Sequence, residues 1–505
     1  MQSRFILLLF LIPLLSYAQQ PPATPGNLRM EGFDQRQQLS ENSLVSNIPF
    51  RSIGPTVFSG RVVDLEVNPK DPTIFYAAYA SGGLWLTENN GISFNPIFEQ
   101  ESVMTIGDIA VDWNNNVIWI GTGENNSSRS SYSGTGMYRS ADGGKTWEYK
   151  GLPESHHIGR IILHPTDPNT LWVAVLGHLY SSNEERGVYK TTDGGATWKK
   201  TLYVDENSGA VDLIMDGADT NTLYAAIWHR ERRAWNFVES GAGSGIHKST
   251  DGGETWSLLT NAPSGFPTGN GVGRIGLTTT QSKGKTVLYA IVDNQTRRPK
   301  DSKADSNDKL TKEDFRNMSK EDFLKLDEQK VKSFLKANRF PKKYTSEEVI
   351  GKVRSGKILP TALTEYLEDA NSLLFDTPVM GAEVYRSNDN GKTWKKTHEG
   401  YLDDLFFSYG YYFGQIRVNP NDVSKIYIVG VPILRSADGG ATFKSINGDN
   451  VHVDHHALWV DPVRKGHLIL GNDGGVNISY DDGDHWVKCN TPPVGQFYTV
   501  NVDMA

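Results

Sequence analysis

An eight-residue pattern that repeats along the chain constrains the fold more than any other feature. The pattern reads Ser/Thr-x-Asp-x-Gly-x-Thr-Trp. It is a glycine-containing turn that ends in Thr and Trp, two residue types typical of strands. Six good or fair copies are SADGGKTW (140–147), TTDGGATW (191–198), STDGGETW (249–256), SNDNGKTW (387–394), SADGGATF (436–443) and SYDDGDHW (479–486), and a weaker copy is TENNGISF (87–94). Except across one long gap, successive copies are about 45–55 residues apart, which indicates a repeat architecture.

Each unit also contains two strand-like segments upstream of the repeated turn. Leu65 and Val67 stand two positions apart in the first unit, and Ile161 and Leu163 do so in the third. Apolar residues at every second position indicate a strand with one buried face. Turns of the Asn-Pro-x-Asp-Pro type then lead to a second strand rich in Ile, Tyr, Trp and Val. We therefore expect four strands per unit, joined by hairpins.

Four-stranded units repeated around an axis form a β-propeller. A solenoid is the alternative, but its repeats are usually shorter and parallel, whereas these turns are typical of antiparallel strands. The sequence therefore predicts an all-β propeller with about seven visible blades, at 59–97, 104–150, 156–202, 207–258, 271–398, 411–446 and 451–489.

The repeated turn is expected to be structural. Its aspartate can accept hydrogen bonds from its own backbone, its glycine can adopt a positive φ, and its tryptophan can pack between sheets. A catalytic role for the aspartate is the alternative, but seven equivalent active sites around one ring would be unusual. We assign the structural role to Asp142, Asp193, Asp251, Asp389, Asp438 and Asp481.

The repeated turn resembles the Asp-box, or bacterial neuraminidase (BNR) repeat, of sialidases, xyloglucanase-type glycosidases, sortilin-type receptors and photosystem assembly factors. Together with IGPTVFSGRV (53–62), GTGENN (121–126) and HVDHHALWVDP…GNDGG (452–475), it makes the chain similar to secreted bacterial proteins grouped with the sortilin (VPS10-like) N-terminal domain, which are often described as glycosyl hydrolase-like. The resemblance implies the propeller fold over most of the chain and leaves the ligand open. The arginine motif of sialidases has no match at 50–55, and with Cys489 as its single cysteine the chain lacks the cysteine-rich module of sortilins.

The two ends of the chain carry separate expectations. Residues 1–18 have the charged start, apolar run and small-residue site of a signal peptide cleaved after Ala18, which predicts a secreted or periplasmic protein. Residues 19–58 form a lead-in to the blades at 59–489. The segment GQFYTVNVD (495–503) aligns with GRVVDLEVN (60–68), so 490–505 is expected to begin a further, truncated blade. Either the chain is the front of a longer protein, with a second propeller, or segment 44–56 completes the ring.

The fifth unit contains an insertion at about 295–380 whose charged sequence is helix-like. Ser319 and Thr345 each stand three residues before an acidic residue, as helix N-caps do. Phe323, Leu326, Val331, Phe334 and Leu335 can share one helical face. The insertion is expected either to decorate the propeller or to serve as a lid or docking element.

Composition excludes two classes of partner. The net charge of −8, without a long basic stretch, argues against nucleic acid binding. No apolar run after the signal peptide is long enough to span a membrane. A glycan, a peptide or a protein remains as the expected ligand.

Ligands are expected at the channel mouth, where the loops between second and third strands meet the loops that precede first strands. The ligand-binding candidates there are Asn125, Arg129, His178, Trp228, His229, Arg230, Trp235, His452, His455 and His456. Glu124 and Asp454 are the catalytic candidates, as a general acid and its partner carboxylate, with Asp293 and Asp403 as other partners for Glu124. Alternatively, Glu124 caps its own loop.

Alternation along the strand places His452, Asp454 and His456 on one side. Such a group can hold zinc, perform acid–base chemistry or line the channel through hydrogen bonds; we predict no metal and no cofactor. His156 and His157 precede the first strand of the third unit in a similar way.

Two further groups of residues have open roles. The first is polar and stands at one depth of the channel, and is expected to form ion pairs: Asp64, Asp108, Arg160, Asp212, Arg274 and Gln415. The second is aromatic and precedes the first strand of the sixth unit, either as a stacking platform or as core: Phe406, Phe407, Tyr409, Tyr411 and Tyr412.

Two functional hypotheses follow. The first is a non-catalytic recognition module, and the second is a glycoside hydrolase that acts on an extracellular polysaccharide. A hydrolase requires two carboxylates about 5–10 Å apart in an open cleft.

Overall fold

The computed structural model describes residues 22–48, 60–233, 236–299, 310, 312–316, 318–338, 340–341, 343–367, 379–407, 409–490 and 492–495. The predicted signal peptide and Trp235 lie outside these residues, as do 49–56 and 496–503 from the two segments considered for an additional strand. No helix among the described residues is long and apolar enough to cross a membrane.

Among the described residues, seven four-stranded antiparallel sheets form the blades, which confirms the predicted all-β propeller with about seven visible blades. Blade one contains β1 (Val62–Val67), β2 (Phe75–Tyr79), β3 (Gly83–Thr87) and β4 (Asn95–Pro96), and blade two contains β5 (Ile106–Asp112), β6 (Val117–Thr122), β7 (Met137–Ser140) and β8 (Glu148–Tyr149). Blade three contains β9 (Ile158–Leu163), β10 (Leu171–Val175), β11 (Gly187–Thr191) and β12 (Lys199–Leu202), and blade four contains β13 (Ser208–Asp216), β14 (Asp219–His229), β17 (Gly245–Ser249) and β18 (Ser257–Leu258). Blade five contains β19 (Val272–Ser282), β20 (Lys285–Arg297), β21 (Val379–Ser387) and β22 (Lys395–Lys396). Blade six contains β23 (Gln415–Asn419), β24 (Asp422–Val429), β25 (Ile433–Ser436) and β26 (Lys444–Ser445), and blade seven contains β27 (His455–Val460), β28 (Leu468–Asn472), β29 (Gly475–Ser479) and β30 (Val487–Lys488). A small hairpin of β15 (Glu231–Arg232) and β16 (Phe237–Val238) extends a loop of blade four.

Helices lie outside the blades. They are α1 (Gly26–Glu41) before blade one, α2 (Lys312–Arg316), α3 (Lys320–Phe323), α4 (Glu328–Ala337), α5 (Ser346–Arg354) and α6 (Thr361–Leu367) between β20 and β21, and α7 (Asp403–Phe406) before β23. Short 3₁₀ turns occur at Pro153–Ser155 and Ala262–Ser264.

The helices between β20 and β21 have a hydrophobic core of their own. Ser319 and Thr345 cap α3 and α5, accepting hydrogen bonds from the backbone N–H groups of Asp322 and Glu348. The core is centred on Phe315, Phe323, Val331, Phe334, Leu335, Val349, Val353 and Leu363, and all of its members belong to the insertion. The insertion therefore buries its apolar surface within itself.

A separate apolar cluster fills each interface between neighbouring blades, including the interface of blade seven with blade one. In that last cluster, Val62 and Leu65 of β1 pack with Ala457, Ile469 and Val476 of blade seven. The backbone N–H of Gly60 also donates to the carbonyl oxygen of Asp473, at 2.9 Å. Among the described residues, the ring thus closes blade on blade, and no strand from either chain end takes part.

The repeated turns lie at one end of the propeller, together with the turns between first and second strands. The backbone N–H of Gly143 donates to Asn116, that of Gly194 to Asn169, and that of Gly252 to Asn221, each across these two kinds of turn. Because strands alternate in direction, the loops between second and third strands lie at the opposite end. We call that opposite end the loop face.

Candidate functional site

In the six repeated turns that contain an aspartate, its carboxylate accepts hydrogen bonds from residues of the same turn. The Asp142 carboxylate accepts from the Thr146 N–H at 2.9 Å and from the Thr146 hydroxyl at 2.7 Å, and these bonds lower the pKa of Asp142 to about 2. The Trp147 indole donates to the Ile97 carbonyl of the preceding blade at 2.7 Å. Equivalent carboxylate bonds form at Asp193, Asp251, Asp389, Asp438 and Asp481. All six carboxylates are thus used within the fold.

A cavity of about 370 Å³ opens where blades six, seven and one meet on the loop face. We call it the mouth cavity. It is lined by Arg61, Phe407, Tyr409, Tyr412, Phe413, Val431, Val453, Asp454, His456 and Asp473. Arg61 precedes β1, the aromatic residues lie between α7 and β23, and the remaining polar residues flank or begin strands of blade seven.

One wall of the mouth cavity is aromatic. Tyr409 and Tyr412 have ring centroids 6.4 Å apart, and Phe413 stacks on the imidazole of His456 at 5.4 Å. The Tyr412 hydroxyl donates to Ser128 of blade two, which fixes this ring in place. Phe406 is 1 % exposed and belongs to the core, whereas Phe407, Tyr409 and Tyr412 line the cavity. The aromatic segment is therefore divided between the two predicted roles.

The lining also contains two carboxylates, those of Asp454 and Asp473, which we call the carboxylate wall. Their backbones are joined by a hydrogen bond from the Asp473 N–H to the Asp454 carbonyl, at 3.1 Å. Burial and the neighbouring charge of Asp473 raise the pKa of Asp454. Burial opposes ionisation of Asp473, but the hydrogen bond from His456 at 2.9 Å and the charge of Arg61 lower its pKa on balance. The two carboxyl groups thus differ in their tendency to hold a proton.

Glu124 lies outside the cavity lining, with 1 % exposure, and is bound to side chains rather than to the backbone of its own loop. Arg61 donates to both of its oxygens, at 2.5 and 3.1 Å, and Asn126 donates to Oε1 at 2.7 Å. Both oxygens of the Glu124 carboxylate are thus already bonded to other side chains of the protein. This geometry favours Asp473, rather than Glu124, as the carboxylate that accompanies Asp454.

Four of the six polar groups of the channel form the expected ion pairs, whereas Arg274 donates to Asn125 and Asn126, and Gln415 accepts from Arg417. Arg160 contacts Asp108 at 2.7 Å, Asp212 at 3.1 Å and Asp64 at 3.8 Å. Each of these aspartates also accepts a hydrogen bond from the first strand of the following blade. The donors are the backbone N–H groups of Ile109 for Asp64, Ile161 for Asp108 and Leu277 for Asp212. These carboxylates therefore tie blades together.

Three of the predicted ligand-binding residues are buried and hold loops in place. Asn125 accepts from Arg274 at 3.2 Å, and the Trp228 indole donates to the Glu239 carbonyl at 2.8 Å. Arg230 is fully buried and donates to the Asn126 carbonyl at 2.7 Å. Their bonds are to the protein, which favours a supporting role.

The other predicted ligand-binding residues are scattered over the loop face. Arg129 and His452 are exposed, and the ring of His229 lies 3.1 Å from Ser208 and 3.6 Å from Glu231. His455 is buried, which lowers its pKa to about 3. Only His456 of these predicted ligand-binding residues lines the mouth cavity. His452 does not join it there, because Asp454 has a φ of +66° and breaks the expected alternation.

Among the described residues, one group of three metal-capable side chains has ligand atoms within 4.8 Å of one another. It consists of Glu154, His156 and His178. His452, Asp454 and His456, for which the sequence leaves zinc binding open, do not belong to this group. The residues of the observed group come from two loops that the fold brings together.

Sequence reasoning missed Arg61, Phe413 and Asp473 as site residues. Arg61 stands within IGPTVFSGRV and Asp473 within GNDGG, two of the motifs that carried the family resemblance. The structure brings these motifs together with GTGENN, since Arg61 contacts both Glu124 and Asp473. Their joint occurrence was the available signal.

Comparison with protein families matches two models to the chain. The family described as Sortilin, neurotensin receptor 3, matches residues 135–347, and the BNR/Asp-box repeat matches residues 385–396. Both matches agree with the resemblance inferred from the repeated turn.

Curated relatives include two xyloglucanases. A xyloglucanase of a Paenibacillus species is 24 % identical over 165 residues, covering 27 % of this chain and 14 % of that protein. Xyloglucanase Xgh74A of Acetivibrio thermocellus is 26 % identical over 165 residues, covering 27 % and 17 % of the respective chains. The aligned segment thus spans less than a fifth of either relative.

Solved structures share the fold. The GH74 xyloglucanase of Xanthomonas campestris superposes with a TM-score of 0.53 and 14 % identity, over 86 % of this chain and 54 % of that one. An ancestral GH74 enzyme superposes with a TM-score of 0.50 and 14 % identity, over 85 % and 46 % of the respective chains. The present chain spans about half of each of these enzymes.

Proposed function

We propose that this Asp-box (BNR) β-propeller, which resembles sortilin-like and glycosyl hydrolase-like proteins, is an exported protein that binds a glycan in its mouth cavity. The observation that carries the proposal is the pairing of an aromatic wall with a carboxylate wall in one open cavity. Its volume lies at the small end of the ~300–1,000 Å³ typical of ligand pockets.

The two walls suit the two kinds of surface that a sugar presents. The flat faces of Tyr409 and Tyr412 can pack against the C–H face of a sugar ring. Asp454 and Asp473 can accept hydrogen bonds from its hydroxyl groups, because carboxylates are strong acceptors. The cavity rests on rigid strands, and Arg61 fixes its floor through Glu124. The named activity of the xyloglucanase relatives supports a polysaccharide as the ligand class.

Isothermal titration of the purified protein with xyloglucan and other soluble polysaccharides tests the proposal. Tyr409→Ala is expected to weaken binding about fivefold, the effect of losing a stacking contact worth about 1 kcal/mol. Asp454→Asn should also weaken it. Tyr480→Ala is the matched control, because this exposed tyrosine follows β29 at the end of the propeller opposite the loop face. Unchanged affinity in both cavity variants would refute the assignment.

Hydrolysis of the bound glycan is a second candidate function. It is favoured by the opposite pKa displacements of Asp454 and Asp473, since a protonated and an ionised carboxyl group are the two roles that glycoside hydrolysis needs. Asp454 would then be the general acid, and Asp473 the base or nucleophile.

Release of reducing ends from xyloglucan separates this candidate from simple binding. A hydrolase predicts that Asp454→Asn and Asp473→Asn each abolish turnover while at least one of them still binds the polysaccharide. Binding by the unmodified protein without any release of reducing ends would exclude hydrolysis of that glycan and leave the recognition function.

A further inference from the structure

A second cluster of polar side chains lies on the loop face outside the mouth cavity, between the loop that precedes β9 and the loop that follows β10. Glu154 Oε2 is 3.6 Å from Nε2 of His156 and 3.5 Å from Nε2 of His178. The two imidazole rings stack with their centroids 3.7 Å apart. The three metal-capable atoms all lie within 4.8 Å of one another.

Both Nε2 atoms are buried without a hydrogen-bond partner. His156 is 8 % exposed and His178 is 9 % exposed. Buried polar atoms of folded proteins are almost always satisfied, so two adjacent unpartnered nitrogens indicate a missing ligand. Both atoms lie near the same carboxylate oxygen, Oε2 of Glu154, at 3.6 and 3.5 Å, which is longer than an ordinary hydrogen bond.

We propose that Glu154, His156 and His178 bind one zinc ion, or a closely similar first-row divalent metal. Zinc–nitrogen and zinc–oxygen bonds of about 2.0–2.1 Å in a tetrahedral arrangement place neighbouring ligand atoms about 3.3 Å apart. The two carboxylate–imidazole distances are within a few tenths of an ångström of that value. Two nitrogen ligands and one carboxylate suit zinc, whereas calcium and magnesium prefer oxygen ligands.

The surrounding bonds hold the three ligands in position. His178 Nδ1 lies 2.8 Å from the Ser181 hydroxyl, so a proton on Nδ1 leaves Nε2 free as the ligand atom. The Asn183 side chain donates to the backbone carbonyl of Glu154 at 3.2 Å and accepts from the backbone N–H of His178 at 2.9 Å. Glu154 Oε1 accepts from the backbone N–H of Gly26 at the start of α1, which leaves Oε2 toward the histidines.

Three protein ligands leave the fourth tetrahedral position to water or to another small ligand. The Glu154 side chain is 31 % exposed, so this position can be reached from solvent. The bound metal would join the loop before β9, the loop after β10 and, through Glu154, the N-terminal helix α1.

Metal analysis of the untagged full chain tests the site. After dialysis against chelator and reloading, we expect about one zinc per chain, and visible absorption bands of tetrahedral geometry when cobalt replaces zinc. Glu154→Gln, His156→Ala and His178→Ala should each lose the bound metal, and Asn183→Ala, a change in a positioning residue, should weaken binding by about 10- to 100-fold.

His229→Ala is the matched control, because His229 lies 3.6 Å from Glu231 in a pair on the same face, to which no third metal-capable side chain is added by the residues that the structure describes. It should keep the full zinc content. Binding well below one equivalent in the unmodified chain, or binding that survives loss of either histidine, would overturn the proposal. If the variants fail to fold, a cobalt spectrum of the unmodified chain without tetrahedral bands would do so alone. Neither zinc content nor the cobalt spectrum depends on glycan affinity. The proposed metal site and the proposed glycan site are therefore tested independently.

Discussion

The guanidinium group of Arg61 donates two hydrogen bonds to the carboxylate of Glu124, from Nε at 2.5 Å and from Nη2 at 3.1 Å. Glu124 is 1 % exposed and the Arg61 side chain 11 % exposed, so the pair is shielded from water. The remaining nitrogen of Arg61 is 3.9 Å from Asp473. A buried pair of blades one and two thereby adds to the effect of His456 in lowering the pKa of a carboxylate in blade seven.

Glu124→Gln should destabilise the protein strongly, because it leaves the buried Arg61 without its charged partner. Breaking a buried ion pair costs about 3–5 kcal/mol in the free energy of unfolding, which urea denaturation can measure. Glu254→Gln is the control: Glu254 pairs with Lys190 and Lys199 but is 41 % exposed, and an exposed pair contributes only about 0–1 kcal/mol. Equal effects of the two substitutions would contradict the buried role.

The Asp-boxes should make stability fall in acid over a defined interval. The pKa of Asp142 is about 2 in the folded state, and so are those of Asp193 and Asp438, against ordinary values near 3.8. A folded-state pKa that is depressed contributes stability above the unfolded pKa, and this contribution is lost as pH falls through the folded pKa. We therefore expect the melting temperature to fall between about pH 4 and pH 2.

Asp142→Asn isolates one box. The difference in melting temperature between this variant and the unmodified protein should be constant above about pH 4 and should shrink toward pH 2, where the native aspartate becomes protonated. A difference that does not change with pH would show that the charge of Asp142 contributes nothing to stability.

The blades could be predicted from sequence because the box, the alternation and the turns all act locally. Leu65 and Val67 fix one face of β1, and the turn at Asp142 needs only residues within its own hairpin. The site depends instead on contacts distant in sequence: Arg61 meets Glu124, and Asp473 meets His456. No periodicity records such pairings, and Asp454 departed from strand alternation through its positive φ.

Removal of the helical insertion should leave the propeller folded. The insertion core contains insertion residues, while β20 and β21 are already paired, with Arg297 opposite Val379. Replacing residues 300–378 by a short Gly-Ser linker should change the free energy of unfolding of the propeller by no more than about 2 kcal/mol, because each halving of loop length changes the closure free energy by only about 0.6 kcal/mol. Circular dichroism and urea denaturation provide the measurement. Loss of the cooperative transition would mean that the insertion supports the blades.

Asp473 should control the protonation of Asp454. Burial is the main reason that the pKa of Asp454 is raised, and the negative charge of Asp473 is the next. Asp473→Asn removes that charge, so the pKa of Asp454 should fall toward its ordinary value without reaching it, because burial remains. Carbon-detected NMR titration of the Asp454 carboxyl group measures this shift without any glycan. Glu254→Gln, a charge removed on the opposite face, should leave the titration unchanged. An Asp454 pKa that is equal in Asp473→Asn and in the unmodified protein would mean that the two carboxylates do not interact, and the acid–base pair proposed for hydrolysis would lose its basis.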